Sequence, residues 1–293
     1  MFDLTKFEKA IENNVLTALA EDLGSEDLTH AFKLDLTVSL LDAQKQSEAR
    51  IITREKMVLS GRPWVEKTFE TLSKQTQTPL VEINWKAKDG DALEADAVIC
   101  TLKGPVQTLL TGERTALNFL QTLSATATQT ANTATLITSY ATKLLDTRKT
   151  LPGLRIAQKY AVSCGGGCNH RIGLYDAFLI KENHIAAAGS IEAAVNNAKT
   201  INPNVKLEVE VETVDELNEA FKTPCDVIML DNFALKDIEY AVSNKPKHVA
   251  LEVSGNVDNV SIMSYAQTGV DYISMGALTH SVKNLDLSLK ATN

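Results

Sequence analysis

The residues most able to do chemistry are concentrated between positions 146 and 184, in DTRKTLPGLRIAQKYAVSCGGGCNHRIGLYDAFLIKENH. Lys and Arg stand at 148, 149, 155, 159, 171 and 181, against only Asp146, Asp176 and Glu182. The basic residues are interleaved with glycines and short apolar runs, a pattern suited to gripping an anion. Arginine's planar fork pairs with a carboxylate or phosphate through two hydrogen bonds, whereas lysine acts as a point charge. Both types together point to a ligand bearing carboxylates and phosphates. The run Cys164-Gly165-Gly166-Gly167-Cys168-Asn169-His170-Arg171 permits close backbone approach or unusual torsions. It lacks the Gly-Lys-Ser/Thr ending of a nucleotide P-loop. The Cys-x3-Cys-x-His spacing invites zinc, but no second ligand pair with structural-zinc spacing follows. The cysteines therefore read as loop-packing residues, His170-Arg171 as donors to a pocket, and His184 as a helix cap.

The matching acids come later in the chain. Glu208, Glu210 and Glu212 alternate, so as a strand they share one face. That face is expected at a rim or in solvent, with Leu207, Val209 and Val211 turned toward helices. Glu210 and Asp231 form a carboxylate pair suited to Mg²⁺, ribose hydroxyls or a developing positive charge. Ion pairing with Arg148 and Lys181 is the competing, purely structural reading. Ser254-Gly255-Asn256 and Met275-Gly276-Ala277 are candidate phosphate loops, because barrels often bind phosphate after their late strands.

Elements must carry these residues to one place. Residues 5 to 21 have helical apolar spacing, and Asp35-Leu36-Thr37 resembles a strand entry. Residues 51–53, 57–61, 81–85 and 97–102 alternate as strands around a helix from Pro63 to about Leu72. Residues 108 to 141 contain no proline and read as one long helix or two, with Thr and Ala suggesting close packing. Beyond 143 the pattern becomes strand, polar loop, helix. Strands are expected at 144–148, 177–181, 206–210, 227–231, 249–254 and 272–276. Repeated βα units imply a parallel sheet, with a barrel favoured over a doubly wound open sheet. The strands end on Arg148-Lys149, Lys181, Glu210, Asp231, Ser254-Gly255 and Gly276. A barrel places such terminal residues on its catalytic rim.

Composition sets outer bounds. The chain has 293 residues, 44% hydrophobic and 23% charged, with net charge −8. That balance argues against a nucleic-acid partner, which normally shows as excess Lys/Arg over a face. A small anionic substrate remains compatible, since a site works through its local field. No uncharged apolar run reaches membrane-span length, and the N-terminal stretch lacks a signal peptide's apolar core. Four cysteines without framework spacing suit a reduced, cytoplasmic compartment.

Together these motifs resemble the quinolinate phosphoribosyltransferase family. The resemblance rests on Asp146-Thr147-Arg148-Lys149-Thr150, Gly165-Gly166-Gly167 with Asn169-His170-Arg171, and Lys181-Glu182-Asn183-His184. It continues through Glu113-Arg114 with Ala116-Leu117-Asn118, Glu208-Val209-Glu210, Leu230-Asp231-Asn232-Phe233, Glu252-Val253-Ser254-Gly255-Asn256 and Ser274-Met275-Gly276. It implies an α/β fold: an N-terminal α/β sandwich domain (1–112) and an open, TIM-like α/β barrel of about seven strands (113–293). It further implies a homodimer that transfers phosphoribosyl from PRPP to quinolinate with decarboxylation, on the way to NAD. Mg²⁺ would accompany PRPP, held by Glu210 and Asp231, and no organic cofactor is expected. Arg148, His170 and Arg171 would hold quinolinate, with Arg114 supplied across the subunit interface. Lys149 and Lys181 would face pyrophosphate and substrate charge. Glu210 and Asp231 would handle ribose hydroxyls, and Ser254, Gly255, Asn256 and Gly276 the 5-phosphate.

Other functions make different demands. A nicotinate phosphoribosyltransferase needs fewer carboxylate-binding cations, because its substrate has one carboxylate fewer. An aldolase-type lyase would use Lys181 as a Schiff-base former. A silent phosphosugar-binding barrel would have no reason to retain Lys, Arg, Glu and Asp at successive strand ends.

Overall fold

A computed structural model describes residues 3–24, 33 and 35–292. In chain order the elements begin with α1 (Glu8–Leu23), β1 (Gln46–Thr53), β2 (Met57–Val58), α2 (Arg62–Thr76), β3 (Glu82–Trp85) and β4 (Ala92–Leu93). Next come β5 (Val98–Pro105), α3 (Val106–Leu136), β6 (Lys143–Leu145), α4 (Arg155–Cys164), β7 (Phe178–Ile180), α5 (Glu182–Ala188) and α6 (Ile191–Ile201). The chain continues through β8 (Leu207–Val211), α7 (Val214–Ala220), β9 (Val227–Asp231), α8 (Leu235–Asn244) and β10 (Ala250–Ser254). It closes with α9 (Ile262–Gln267), β11 (Tyr272–Ser274), α10 (Ala277–His280) and β12 (Leu287–Thr292). These fall into two compact units. One comprises Met1–Ala131, Leu151–Gly166 and Ser281–Asn293, and the other Asn132–Thr150 and Gly167–His280. Helix α3 runs unbroken through residues 112 and 113, where the sequence suggested a domain boundary.

The first unit carries an antiparallel sheet in the order β12-β1-β5-β3, with a separate β2-β4 pair. Strand β1 is longer than its apolar residues 51–53 suggested, because its polar start at Gln46–Glu48 is held by pairing with β5. Asp35 does not enter a strand. Its carboxylate accepts from the main-chain N–H groups of Thr37 and Val38 at 3.1 and 3.0 Å, which closes a turn into a short 3₁₀ helix at Val38–Leu40. Helix α1 buries Ile11, Val15 and Leu19, the apolar stripe its spacing foretold. Helix α3 is one helix, and its small residues do allow close approach. A Cβ at Gly112 would lie 2.6 Å from the Phe69 ring of α2.

The second unit is built on six parallel strands in the order β6-β11-β10-β9-β8-β7. An isolated parallel bridge, Leu145 to Cys168, extends the ladder beyond β6. Among the described residues the sheet therefore ends at β7 on one side, as an open barrel requires, and the Cys168 bridge supplies the remnant of a seventh strand. Val209, Val211, Ile228, Leu230, Leu251 and Val253 are buried, as strands covered by helices demand. Crossover helices are locally capped. Thr213 and Glu216 form a reciprocal capping box on α7, and the Ser190 hydroxyl accepts from Ala193 N–H on α6. Three of these strands end earlier than expected. β6 stops at Leu145, β7 at Ile180 and β11 at Ser274, which leaves Arg148-Lys149, Lys181 and Gly276 on loops past the strand ends.

Candidate active site

All the predicted site residues except Arg114 belong to the second unit, at the C-terminal ends of its strands. The loop after β6 is fixed by Asp146, which is fully buried. Its carboxylate accepts from His170 N–H at 2.9 Å and from the Asn169 amide at 2.6 Å, and its own N–H donates to Cys168 O at 3.1 Å. One buried acid thus ties the Asp-Thr-Arg-Lys segment to the Asn-His-Arg segment. Downstream, Thr279 donates to Lys149 O at 2.7 Å and holds the end of that loop. His184 caps α5 as anticipated, its Nδ1 accepting from Lys181 N–H at 2.9 Å.

Arg148, Lys149, Arg171 and Lys181 converge on this rim. Burial disfavours the Arg171 cation, and the nearby Arg148 charge adds to that, so its pKa lies below the usual guanidinium range. Crowding two guanidinium groups costs free energy, which the nearby Glu208, Asp176 and Glu210 offset in part and an anionic ligand would offset further. Lys181 is ion-paired with Glu210, the partner that the structural reading of the sequence anticipated. Asp231, the last residue of β9, accepts from the Asn232 amide at 2.9 Å. Asn232 in turn accepts from the Asn256 amide at 3.2 Å, linking the loops after β9 and β10. Gly255 makes this link feasible. Its φ is +95°, and a Cβ there would lie 2.3 Å from Asn232 Oδ1.

The rim encloses two adjoining cavities. One, about 340 Å³, is lined by Arg148, His170, Arg171, Lys181 and Glu210, among others. The other, about 470 Å³, is lined by Ser254, Gly255, Asn256, Gly276 and His280, among others. Thr147, Lys149, Asp231, Ser254 and Ser274 border both. A cationic lobe and a hydroxyl-and-glycine lobe thus share Lys149 and Asp231 at their junction. That arrangement can hold a multiply charged acid beside a phosphosugar, with the reacting atoms meeting at the shared border.

At the floor of the cationic lobe, which Glu252 also lines, lies a group to which the sequence reading gave no role in the site. Glu208 was expected at a rim or in solvent, but only Glu210 on β8 and Glu212 just past its end reach outward. Glu208 is 2% exposed and Glu252 1%. The reason is positional: both sit one turn of the pleat deeper than the rim residues Glu210 and Ser254. His170 Nε2 lies 2.9 Å from Glu208 Oε2 and 3.5 Å from Glu252 Oε2. The two carboxylates and the ring are close enough for a metal ion. However, His170 Nδ1 accepts from Arg171 N–H at 2.7 Å, which leaves the ring hydrogen on Nε2, the nitrogen nearer the acids. A hydrogen-bearing nitrogen is a donor there rather than a metal ligand. The i, i+2 spacing of Glu252 before Ser254, repeating that of Glu208 before Glu210, was the available sequence signal.

Arg114 is exposed on α3 in the first unit, beside a concavity lined by Asn14, Asn118, Gly153 and others.

Comparison with known proteins decides the family. Residues 126–290 match the C-terminal domain model of quinolinate phosphoribosyl transferase, and residues 35–124 its N-terminal domain model. The chain belongs to the quinolinate phosphoribosyl transferase family. A probable nicotinate-nucleotide pyrophosphorylase (carboxylating) of Bacillus subtilis is 40% identical over 273 residues, covering 93% of this chain and 90% of its own. A quinolinate phosphoribosyltransferase (decarboxylating) of Nicotiana glauca is 36% identical over 293 aligned positions, covering 93% and 80%. The solved nicotinate-nucleotide pyrophosphorylase of Francisella tularensis superposes with a TM-score of 0.89 at 48% identity, covering 97% of each chain. Membership of the quinolinate phosphoribosyl transferase family accounts for both the two-domain organisation and the parallel-sheet barrel.

Proposed function

We infer that this chain transfers the phosphoribosyl group of PRPP to the ring nitrogen of quinolinate. The products are nicotinate mononucleotide, pyrophosphate and CO₂, formed by a pentosyl transfer coupled to decarboxylation. Besides family membership, the observation that carries this reading is the pair of adjoining lobes with Lys149 and Asp231 on their border. Arg148, Arg171 and Lys181 give the cationic lobe the charge to bind a dicarboxylate. Ser254, Gly255 and Gly276 give the other lobe the hydroxyl and close backbone that suit a 5-phosphate. Nicotinate, with one carboxylate, would leave part of the cationic lobe unmatched, and buried unmatched charge is costly.

The chemistry follows from that placement. As the ring nitrogen attacks the ribose C1 and the bond to pyrophosphate breaks, positive charge builds on the sugar. Asp231 and Glu210 stand where carboxylates can stabilise that charge, and Lys149 where an ammonium can stabilise the leaving pyrophosphate. The nitrogen of the new glycosidic bond is then positive. The C–CO₂⁻ bond next to it breaks, its electron pair falls back on the ring carbon, CO₂ departs, and a proton replaces it. The cationic ring serves as the electron sink for this step.

Mg²⁺ is assigned to the PRPP complex. Asp231 suits it as a hard oxygen ligand near the phosphosugar lobe, whereas Glu210 is committed to Lys181. The ion would supply charge neutralisation for the pyrophosphate oxygens. The working unit is assigned as a homodimer in which Arg114 of one subunit completes the other subunit's cationic lobe.

Two substitutions test the division of labour between the lobes. Arg148→Ala should raise KM for quinolinate at least about tenfold while moving KM for PRPP little. Ser254→Ala should do the reverse. Steady-state kinetics showing the same shift for both substrates in both variants would contradict the two-lobe reading.

A further inference from the structure

The buried acids below His170 have no role in the reaction as derived above. Glu208 on β8 and Glu252 on β10 occupy positions in a parallel sheet that ordinarily hold apolar side chains. Placing carboxylates there costs desolvation free energy unless they are committed to a partner. The partner they share is the His170 ring, with Nε2 at 2.9 Å from Glu208 and 3.5 Å from Glu252. The Glu252 carboxyl also stands against Glu208 and the Ser274 hydroxyl. On its other side the ring receives the main-chain N–H of Arg171 on Nδ1 at 2.7 Å. His170's own N–H is held by Asp146 at 2.9 Å, and Arg171 Nη1 donates to Ala177 O at 3.3 Å. A continuous line of contacts therefore runs from two buried strands, through an imidazole, to the backbone of a rim arginine.

We propose that Glu208 and Glu252 are positioning residues that hold His170 as its Nε2–H tautomer, so that Nδ1 fixes the main chain of Arg171 and aims its guanidinium into the cationic lobe. His170 then serves the dicarboxylate through Arg171, since both of its ring nitrogens face groups of the protein. The proposal rests on the assignment of quinolinate to this lobe, and it adds that the lobe's geometry is set from below by the sheet. Directional control of this kind matters, because a displacement of about 1 Å at a substrate-gripping group can cost on the order of 10²-fold in rate.

The test combines a spectroscopic measurement with kinetics. In wild-type protein labelled with ¹⁵N-histidine, long-range ¹H–¹⁵N correlation should show His170 with a protonated Nε2 and a bare Nδ1 at neutral pH. Glu208→Leu should lose that preference and raise KM for quinolinate about tenfold or more, with KM for PRPP within about twofold. Glu208→Gln, which keeps an acceptor oxygen for Nε2–H, should recover most of the loss. An Nδ1–H tautomer, a metal ion bound through Nε2, or a wild-type KM for quinolinate in Glu208→Leu would overturn the proposal. If Glu208→Leu fails to fold, the wild-type tautomer still decides. Absence of quinolinate turnover in wild type despite the expected tautomer would instead remove the substrate assignment.

Discussion

At the scale of single residues, the site works by setting like charges against one another where a ligand or a proton must intervene. Arg171 is partly buried beside Arg148, which disfavours its charge, while Glu208, Asp176 and Glu210 oppose that shift. Glu252, buried and beside Glu208, has its carboxyl pushed up to about 8 from an ordinary 4.5. A carboxyl that titrates higher in the folded than in the unfolded chain binds its proton more tightly when folded. Its contribution to stability is therefore full below about pH 4.5 and is lost as pH rises through about 8. Glu252→Gln removes this titration, so urea midpoints measured across that range should decline less steeply in the variant than in wild type. Parallel declines would show that Glu252 does not hold the proton. The cations of this site were legible in the sequence because Lys and Arg at strand ends are conspicuous. Glu252 was not, because a single acid inside an apolar strand reveals its burial only when the strand's neighbours are known.

At the scale of elements, short strands hand their terminal residues to loops whose shape is set by a few backbone positions. Gly255 combines φ +95° with close approach to Asn232, whereas Gly153 has φ +77° and open space around it. Alanine at either position incurs backbone strain of about 1–3 kcal/mol. Gly255→Ala should cost more than Gly153→Ala in urea unfolding, and it should also raise KM for PRPP by displacing the Asn232–Asn256 link. Equal stability costs with unchanged PRPP kinetics would argue that the loop after β10 has no part in the site. Most elements could be read from periodicity, including α1, α3 and the six parallel strands. The exceptions have local causes. The Asp35 turn forms through side-chain acceptance of two N–H groups. β12 draws its order from pairing with the distant β1, a contact invisible in local pattern.

At the scale of the whole molecule, an acidic chain gathers Arg148, Lys149, Arg171 and Lys181 on one rim, and the proposed homodimer would add Arg114 of a second copy to it. Arg114 lies outside the unit that bears the other site residues. Mixing Arg114→Ala with a subunit inactivated at Lys149 tests its assignment. If Arg114 acts across an interface, hybrids should regain part of wild-type activity after subunit exchange; no recovery over either parent would place its action within its own chain. Among the described residues no helix is long and apolar enough to cross a membrane. The central claim concerns which acid the cationic lobe was built to hold, and a direct turnover assay addresses it. Purified protein, Mg²⁺ and PRPP are supplied with quinolinate or with nicotinate, and pyrophosphate and CO₂ are measured together. The account predicts equimolar pyrophosphate and CO₂ with quinolinate and negligible pyrophosphate with nicotinate. Turnover of nicotinate alone would contradict it.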